Sequence, residues 1–571
     1  MSSSQTGLTS ALARASARVR AAVLSLDRNI LGGAALLFAL FLVMEPILFV
    51  VRALPREVYD APSIFGAALF SSPAFAAGCG LSLLAFSLAP RRAWWRLPPP
   101  ARRFWLPAAV AVLAVTWHLT TLEFNWALDR SFAPDRVLLA ALAVASVMHP
   151  AFLAAFVVAA HAFTGQLNIP PMRFSWLDTN VLFHVMLAVF LWTTLHDLRV
   201  PRRLAASGRL HIPAGSGWAL LLGVFGAWYF LPALGKMRIG WLQNEETSNL
   251  FFNVYEQFGW LGFLDPALHL ALGQWIDQLS PLLQLIGVLT ETVVILLFVS
   301  RRITIGILAM CLSMHLMIFG MTGILFWKWA VVLAAIIFVF ARIGRENWRR
   351  AFPRATMLTA TASIIVIYAL VGARPSILAW YDSALVYRFT MEATGESGTR
   401  YELMPAQLGP YDSRFVQSRF YFLTDTPRLV DGHGALWNLT AYRAIGEAET
   451  KEEILAVIDE HGAPEVAPEK RAALADMRAR FLDATHEYPG GFPMDLRPVK
   501  APQHLWAYQR RDATLPRYHF QEPLDSLSIH LVQRHRQGDR YVVISEERGV
   551  LVVGREPRPA GGRSDTRSLS F

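Results

Sequence analysis

The run WALLLGVFGAWYFLPALGKM, residues 218–237, decides the fold class. Seventeen apolar or small residues, Trp218–Leu234, pass without a charge before Gly235 and Lys236. A helix that crosses hydrocarbon needs about 20 mostly apolar residues, so this stretch reads as a membrane span with a lysine at its end. The whole chain agrees with that reading. Of its 571 residues 54% are hydrophobic and only 17% are charged, where a soluble domain carries about 25% charged residues. Mean hydropathy is +0.36. A purely soluble enzyme, a disordered chain and a disulfide scaffold are all excluded; Cys79 and Cys311 both sit in apolar runs, as buried thiols do.

Further spans are predicted at Ile30–Val51, Ala74–Leu88, Phe104–Leu122, Leu138–Phe163, Val181–Leu195, Leu282–Val299, Ile303–Gly320, Phe326–Phe340 and Met357–Val371. The fold class is therefore an α-helical polytopic membrane protein of about ten or eleven segments. Arginine clusters lie between the spans: Arg91 to Arg103, Arg199 to Arg209, Arg301-Arg302, and Arg342 to Arg354. Positive loops stay cytoplasmic. Parity between the first two clusters demands an even number of crossings, yet three segments lie there. His149-Pro150 interrupts the longest of them, Leu138–Phe163, which is either one kinked span or a re-entrant hairpin.

Charge divides the chain. The formal net charge is +10, but residues from Ala373 onward hold 25 basic and 27 acidic side chains. The excess belongs to the membrane part, where it marks cytoplasmic loops and not a nucleic-acid partner. Four regions follow: a basic cytoplasmic N-terminus (1–28), a multi-helix transmembrane domain (29–372), a C-terminal mixed α/β extracytoplasmic domain (373–558) and a disordered tail (559–571). In the third, Lys451–Glu460 and Glu469–Ala484 have helical spacing. Tyr541–Ser545 and Val550–Val553 read as strands of a hairpin turning at Glu546–Gly549. The setting implied is a bacterial cytoplasmic membrane, with the third region in the periplasm.

Lysine singles out the chemistry. Among residues 1–372 only Lys236 and Lys328 are lysines, while arginine is abundant. A lysine beside apolar walls can serve as a neutral amine and general base, which arginine cannot; an interfacial lysine that merely snorkels is the other reading. Glu291 lies mid-span, where a carboxylate is costly and faces a partner or cavity. Glu45 is similar. His315 falls in the next span, either in the same inner region or as a hydrogen-bonded core histidine. Lys328, between Trp327 and Trp329, has the surroundings of an interfacial anchor. His118, His149, His161, His184 and His196 show no spacing that selects a haem-ligating pair. The aromatic stretch Trp241–Leu279 is read as lying along the outer membrane surface, roofing Lys236. No zinc spacing or phosphate loop occurs.

The order of features is more specific than any one of them. A Tyr-Phe span ends in Lys236, Trp241 follows, then an aromatic segment, Glu291, Arg301-Arg302, His315, and Gly323 to Trp327 as Gly-x-x-Phe-Trp. Over about residues 217–340 this resembles the HTTM family, which includes vitamin K-dependent gamma-glutamyl carboxylase. The resemblance implies a membrane carboxylase, a carbon–carbon lyase, in which Lys236 deprotonates a reduced, vitamin K-like quinone. Oxygenation then produces a strong base, a glutamate γ-proton is removed and carbon dioxide adds. Lys236, Glu291 and His315 become catalytic candidates; Trp241, Trp327 and Lys328 become candidates for holding the quinone. No metal is expected. Partners would be membrane lipid or quinone and a peptide or protein on the extracytoplasmic side. A non-enzymatic binding or carrier protein with a periplasmic recognition domain is the alternative.

The topology has a direct check. Alkaline phosphatase fused to the C-terminal region should be active in intact bacteria, and a fusion in the Arg199–Arg209 loop inactive; the reverse pattern would refute the orientation.

Overall fold

The computed structural model describes residues 72–344 and 380–554, apart from short stretches within them, the longest being 123–132, 166–176, 200–208 and 410–422, and a few isolated residues elsewhere. The spans Ile30–Val51, with Glu45, and Met357–Val371 lie outside the described residues. So do the N-terminal region, the boundary after Gly372, His196 and the segment 559–571.

The helices fall where the apolar runs predict them. In order they are α1 (Pro73–Leu88), α2 (Trp105–Thr120), α3 (Ala133–Met148), α4 (Leu153–Gly165), α5 (Leu177–Leu195), α6 (Ala214–Arg238), α7 (Thr247–Phe258), α8 (Pro266–Thr292), α9 (Arg301–Thr322) and α10 (Trp327–Ala341). Among the described residues, three helices are long and apolar enough to cross a membrane: Gly217–Arg238, Pro266–Leu296 and Arg301–Thr322. The first is the most enclosed, packed against α5 and α8. On α8, by contrast, Leu268, Trp275, Leu282, Leu285, Ile286 and Leu289 stand exposed. An apolar flank of that length suits hydrocarbon better than water.

Two local devices explain the helix ends. At His149 the backbone is extended (φ −145°, ψ 126°) and Nδ1 accepts from the Ala151 N–H, while Pro150 opens a single 3₁₀ turn into α4. The predicted interruption of Leu138–Phe163 is thus a break between two helices, not a bend within one. At the other end, α9 begins on the Ser300 cap and stops at Gly323, whose φ of 71° closes the C-terminus.

One boundary differs from expectation. The surface segment predicted over Trp241–Leu279 ends much earlier, because residues 266–279 belong to α8. Asp265 caps that helix through the N–H groups of Ala267 and Leu268, and Pro266 occupies its first position. Pro281, one residue before the predicted start at Leu282, lies inside the helix. Among the described residues, α7 and a 3₁₀ turn, Trp241–Gln243, are the helical parts of the surface segment before α8.

The C-terminal region is an antiparallel four-stranded sheet with helices. Its strands are β1 (Leu385–Gly395), β2 (Arg400–Glu402), β3 (Leu524–Gln537) and β4 (Arg540–Gly554), in the spatial order β2-β1-β3-β4. Helices α11 (Leu439–Glu447), α12 (Lys451–His461) and α13 (Pro468–Glu487) complete it. The predicted hairpin at Glu546–Gly549 is corrected here: β4 runs unbroken through those residues. Its turn lies before Arg540, at Gly538 (φ 61°). Gly549 (φ 63°) instead serves a bulge, where Ile529 pairs Leu551 but Leu531 pairs Glu547, and its N–H reaches His530 Nδ1.

Strand alternation gives the sheet two faces. Tyr387, Phe389 and Met391 with Leu527, Ile529 and Leu531 are buried on the face that carries α13. Arg388 and Arg534 point the other way, onto α7. There Glu256 accepts from Arg388 at 3.3 Å and also from Arg534. One turn and two turns earlier, Asn253 donates to the Ser383 carbonyl at 2.7 Å and Asn249 to the Asp382 carbonyl at 2.9 Å. Arg536 bonds Asn249 Oδ1 at 2.6 Å while its guanidinium lies 4.4 Å from the Phe252 ring centroid. Gly434 (φ +72°) is required at this seam, since a Cβ there would lie 2.3 Å from Asn253 Nδ2. One polar face of α7 therefore fastens the sheet to the helical part.

On the same sheet, Arg400 bonds both oxygens of Glu392, and His530 Nε2 lies 3.4 Å away. The Arg400 hydrogen bonds, then its charge and that of His530, hold the Glu392 carboxyl below the usual carboxylate range. A depressed folded value stabilises at pH above the unfolded value of about 4.3 and is lost as pH falls through the folded one. Glu392→Gln should flatten the acid limb of thermal unfolding below about pH 4.5 and cost under about 1 kcal/mol at pH 7. An unchanged acid limb would refute this.

Candidate functional site

Helix α6 carries Tyr229 and Lys236 seven residues apart, two turns, and so on one face. Glu291 comes from the last turn of α8, which packs against α6, and His315 from the middle of α9. Lys236 Nζ donates to Glu291 Oε1 at 2.7 Å, with side chains only 14% and 7% exposed. The indole of Trp241 lies beside the same ammonium, 5.2 Å from Nζ to the ring centroid. That indole packs over Gly287, one turn before Glu291 on α8. Lys236 is thus held by a carboxylate and an aromatic face together.

His315 is joined to α6 through Tyr229. The phenol oxygen and His315 Nε2 are 2.6 Å apart, both side chains buried. When Nδ1 carries the ring proton, the phenol donates to Nε2. Trp329 stands edge-on to both rings, 5.3 Å from His315 and 5.6 Å from Tyr229, and Phe326 lies 5.0 Å from His315. Among the described residues, Glu291 Oε2 and His315 Nδ1 are buried without a hydrogen-bond partner. A buried polar atom left in that state is a place where a ligand's polar group gains most.

The chain was compared with protein-family models, curated proteins and solved structures. None of the three comparisons finds a match.

The structure brings together Lys236, Glu291 and Trp241 directly, and adds His315 by way of Tyr229. The contacts of Trp327 and Lys328 lead elsewhere. Trp327 meets Trp117 of α2 at 5.2 Å, whose indole N–H donates to the Val499 carbonyl of the C-terminal region. Lys328 is 2% exposed and donates to Thr179 Oγ1 on α5 at 2.9 Å, inside the helical core and not at a surface. Tyr229 is the residue that sequence reasoning passed over. Its signal was available: a hydroxyl two turns from the exceptional lysine on an otherwise apolar helix. His161 and His184 have each Nδ1 set against the carbonyl one turn back, Val157 and Asn180.

The Lys236–Glu291 pair should behave as a coupled unit. Removing one charge leaves the other among apolar helices, so Glu291→Leu should cost about 3 kcal/mol of stability. Lys236→Met with Glu291→Leu should lie nearer wild type than either single change, a coupling of about 1–3 kcal/mol in thermal unfolding. Additive effects would show that the pair is not a unit.

Proposed function

We propose that this protein is a quinol-dependent membrane enzyme of the HTTM, gamma-carboxylase-like type, with Lys236 as general base. The observation that carries the proposal is the buried Lys236–Glu291 contact beside Trp241, at the one lysine placed where the family-like order of features expects a base. It sits in a chain of about ten or eleven membrane segments in a bacterial cytoplasmic membrane, with the sheet domain on the periplasmic side. Three long apolar helices and the arginine clusters support that placement.

The residues suit a reduced quinone. Its ring would lie against the aromatic groups Trp241, Phe326 and Trp329, and its hydroxyls would find Glu291 Oε2 and His315 Nδ1, which have no partner among the described residues. Lys236 takes a hydroxyl proton as a neutral amine, and Glu291, 2.7 Å away, accepts the proton that the ammonium must first give up. Tyr229 holds the His315 ring so that one nitrogen stays turned toward the bound molecule. Once bound, a quinol supplies with dioxygen a base strong enough to remove a glutamate γ-proton from a peptide, whose carbanion carbon dioxide captures.

A second reading has its own support. Lys236 is already satisfied by Glu291 and Trp241, and such a clasp also suits a membrane carrier or binding protein that uses the sheet domain for recognition. The two readings separate on one substitution. In membranes supplied with quinol and a glutamate-containing peptide, Lys236→Ala and Lys236→Arg should each lower incorporation of labelled carbon dioxide by about 10²–10⁴-fold. Full incorporation in Lys236→Arg would refute Lys236 as the base. No incorporation by wild type on any such peptide ends the carboxylase reading.

A further inference from the structure

A corner of the sheet domain, remote in sequence from Lys236, gathers three potential metal ligands from three elements. Glu396 follows the last residue of β1, His486 stands in the last turn of α13, and Asp525 is the second residue of β3. One donor atom of each lies within 4.8 Å of the other two. His486 Nδ1 is 3.3 Å from Glu396 Oε1, and its side chain is 10% exposed, so packing fixes the ring.

Two features aim these groups at a common point. The other ring nitrogen, Nε2, lies 2.9 Å from the Leu524 carbonyl. A carbonyl only accepts, so Nε2 holds a proton, and it is Nδ1 that faces the carboxylates and would serve as the ligand atom. Metal-ligating histidines are oriented in this way. Asp525 is placed by a bulge: Thr394 pairs with Ser526 but Gly395 pairs with Leu524, which leaves Asp525 as the extra residue. Bulges re-aim side chains. A further carboxylate at this corner, Glu522, is already committed. It accepts from the Ser397 N–H at 2.8 Å, from Ser397 Oγ at 2.7 Å and from the Tyr401 hydroxyl, and these bonds lock the β1–β2 turn. The corner thus separates a carboxylate that builds the turn from two that face the imidazole.

The geometry points to a divalent-metal site made by Glu396, His486 and Asp525. Two carboxylates from separate elements converge on one imidazole nitrogen, a donor set that a dication can hold together. One nitrogen and two oxygens suit a borderline ion such as Zn(II) or Mn(II). Bonds of about 2.0–2.2 Å put tetrahedral ligand atoms about 3.4 Å apart. The Glu396 side chain, 52% exposed, has the freedom to close from the present spacing. Water completes the shell on the open side. The ion would clip the β1–β2 turn, the end of α13 and the start of β3 to one another.

The test uses the full chain in detergent, stripped with EDTA and titrated with zinc chloride by calorimetry at pH 7. Wild type should bind one equivalent more than Glu396→Gln/Asp525→Asn, and each single change should weaken that site at least about tenfold. Zinc should raise the thermal midpoint of wild type and leave the double variant unmoved. The metal-free melting curves of these exposed, isosteric variants should coincide with wild type, which separates loss of the site from loss of the fold. Identical titrations of wild type and double variant would place any bound zinc on others of the 15 histidines. That result, or no binding of zinc or manganese by wild type, overturns the proposal and leaves an ion-paired corner.

Discussion

The contact between Lys236 and Glu291 constrains everything around it. Two opposite charges, 14% and 7% exposed, lie where the ends of α6 and α8 pack together. Neither is tolerable there without the other. Their pairing sets the rotation of α6 against α8. Tyr229, two turns back on the same face of α6, then meets His315 on α9, and Trp241 folds over Gly287 to cover the ammonium. One ion pair thus registers three helices and a turn.

The second constraint is the seam between helices and sheet. It is polar where most of the core is apolar, and its parts come from one helical face: Asn249, Asn253 and Glu256 are spaced to lie in a row along α7. They meet backbone carbonyls and the guanidinium groups of Arg388, Arg534 and Arg536. Hydrogen bonds of this kind demand particular geometry, so the seam sets orientation as well as adhesion. The chain from the sheet to Lys236 is short: α7 follows the Trp241 turn, and the Tyr381 hydroxyl donates to the Ile239 carbonyl, just beyond α6.

What was legible in the sequence was legible because its cause is local. Apolar length marked the helices, Pro150 after His149 marked a break, and the scarcity of lysine marked Lys236. Local signals alone also misled. The apolar run from Leu282 marked only the second half of α8, whose start is set by the Asp265 cap and Pro266. Glu546–Gly549 has the composition of a turn, but pairing with β3 absorbs Gly549 as a bulge. Tyr229 was passed over because a tyrosine on an apolar helix is ordinary until its partner is known. Glu396, His486 and Asp525 share no motif, since their common point exists only where β1, α13 and β3 meet.

The amino-acid sequence by itself determined an apolar, helical and charge-poor first part, a polar second part, and a lysine and a glutamate at positions where charge is costly. Those follow from transfer free energies summed along the chain, which need no knowledge of neighbours. Only the tertiary structure decided that Lys236 belongs to Glu291, that His315 is reached through Tyr229, that Lys328 turns to Thr179, and that α7 is the bed on which the sheet rests. Pairing energies depend on distances of a few ångströms between residues far apart in the chain, and composition carries no record of those distances.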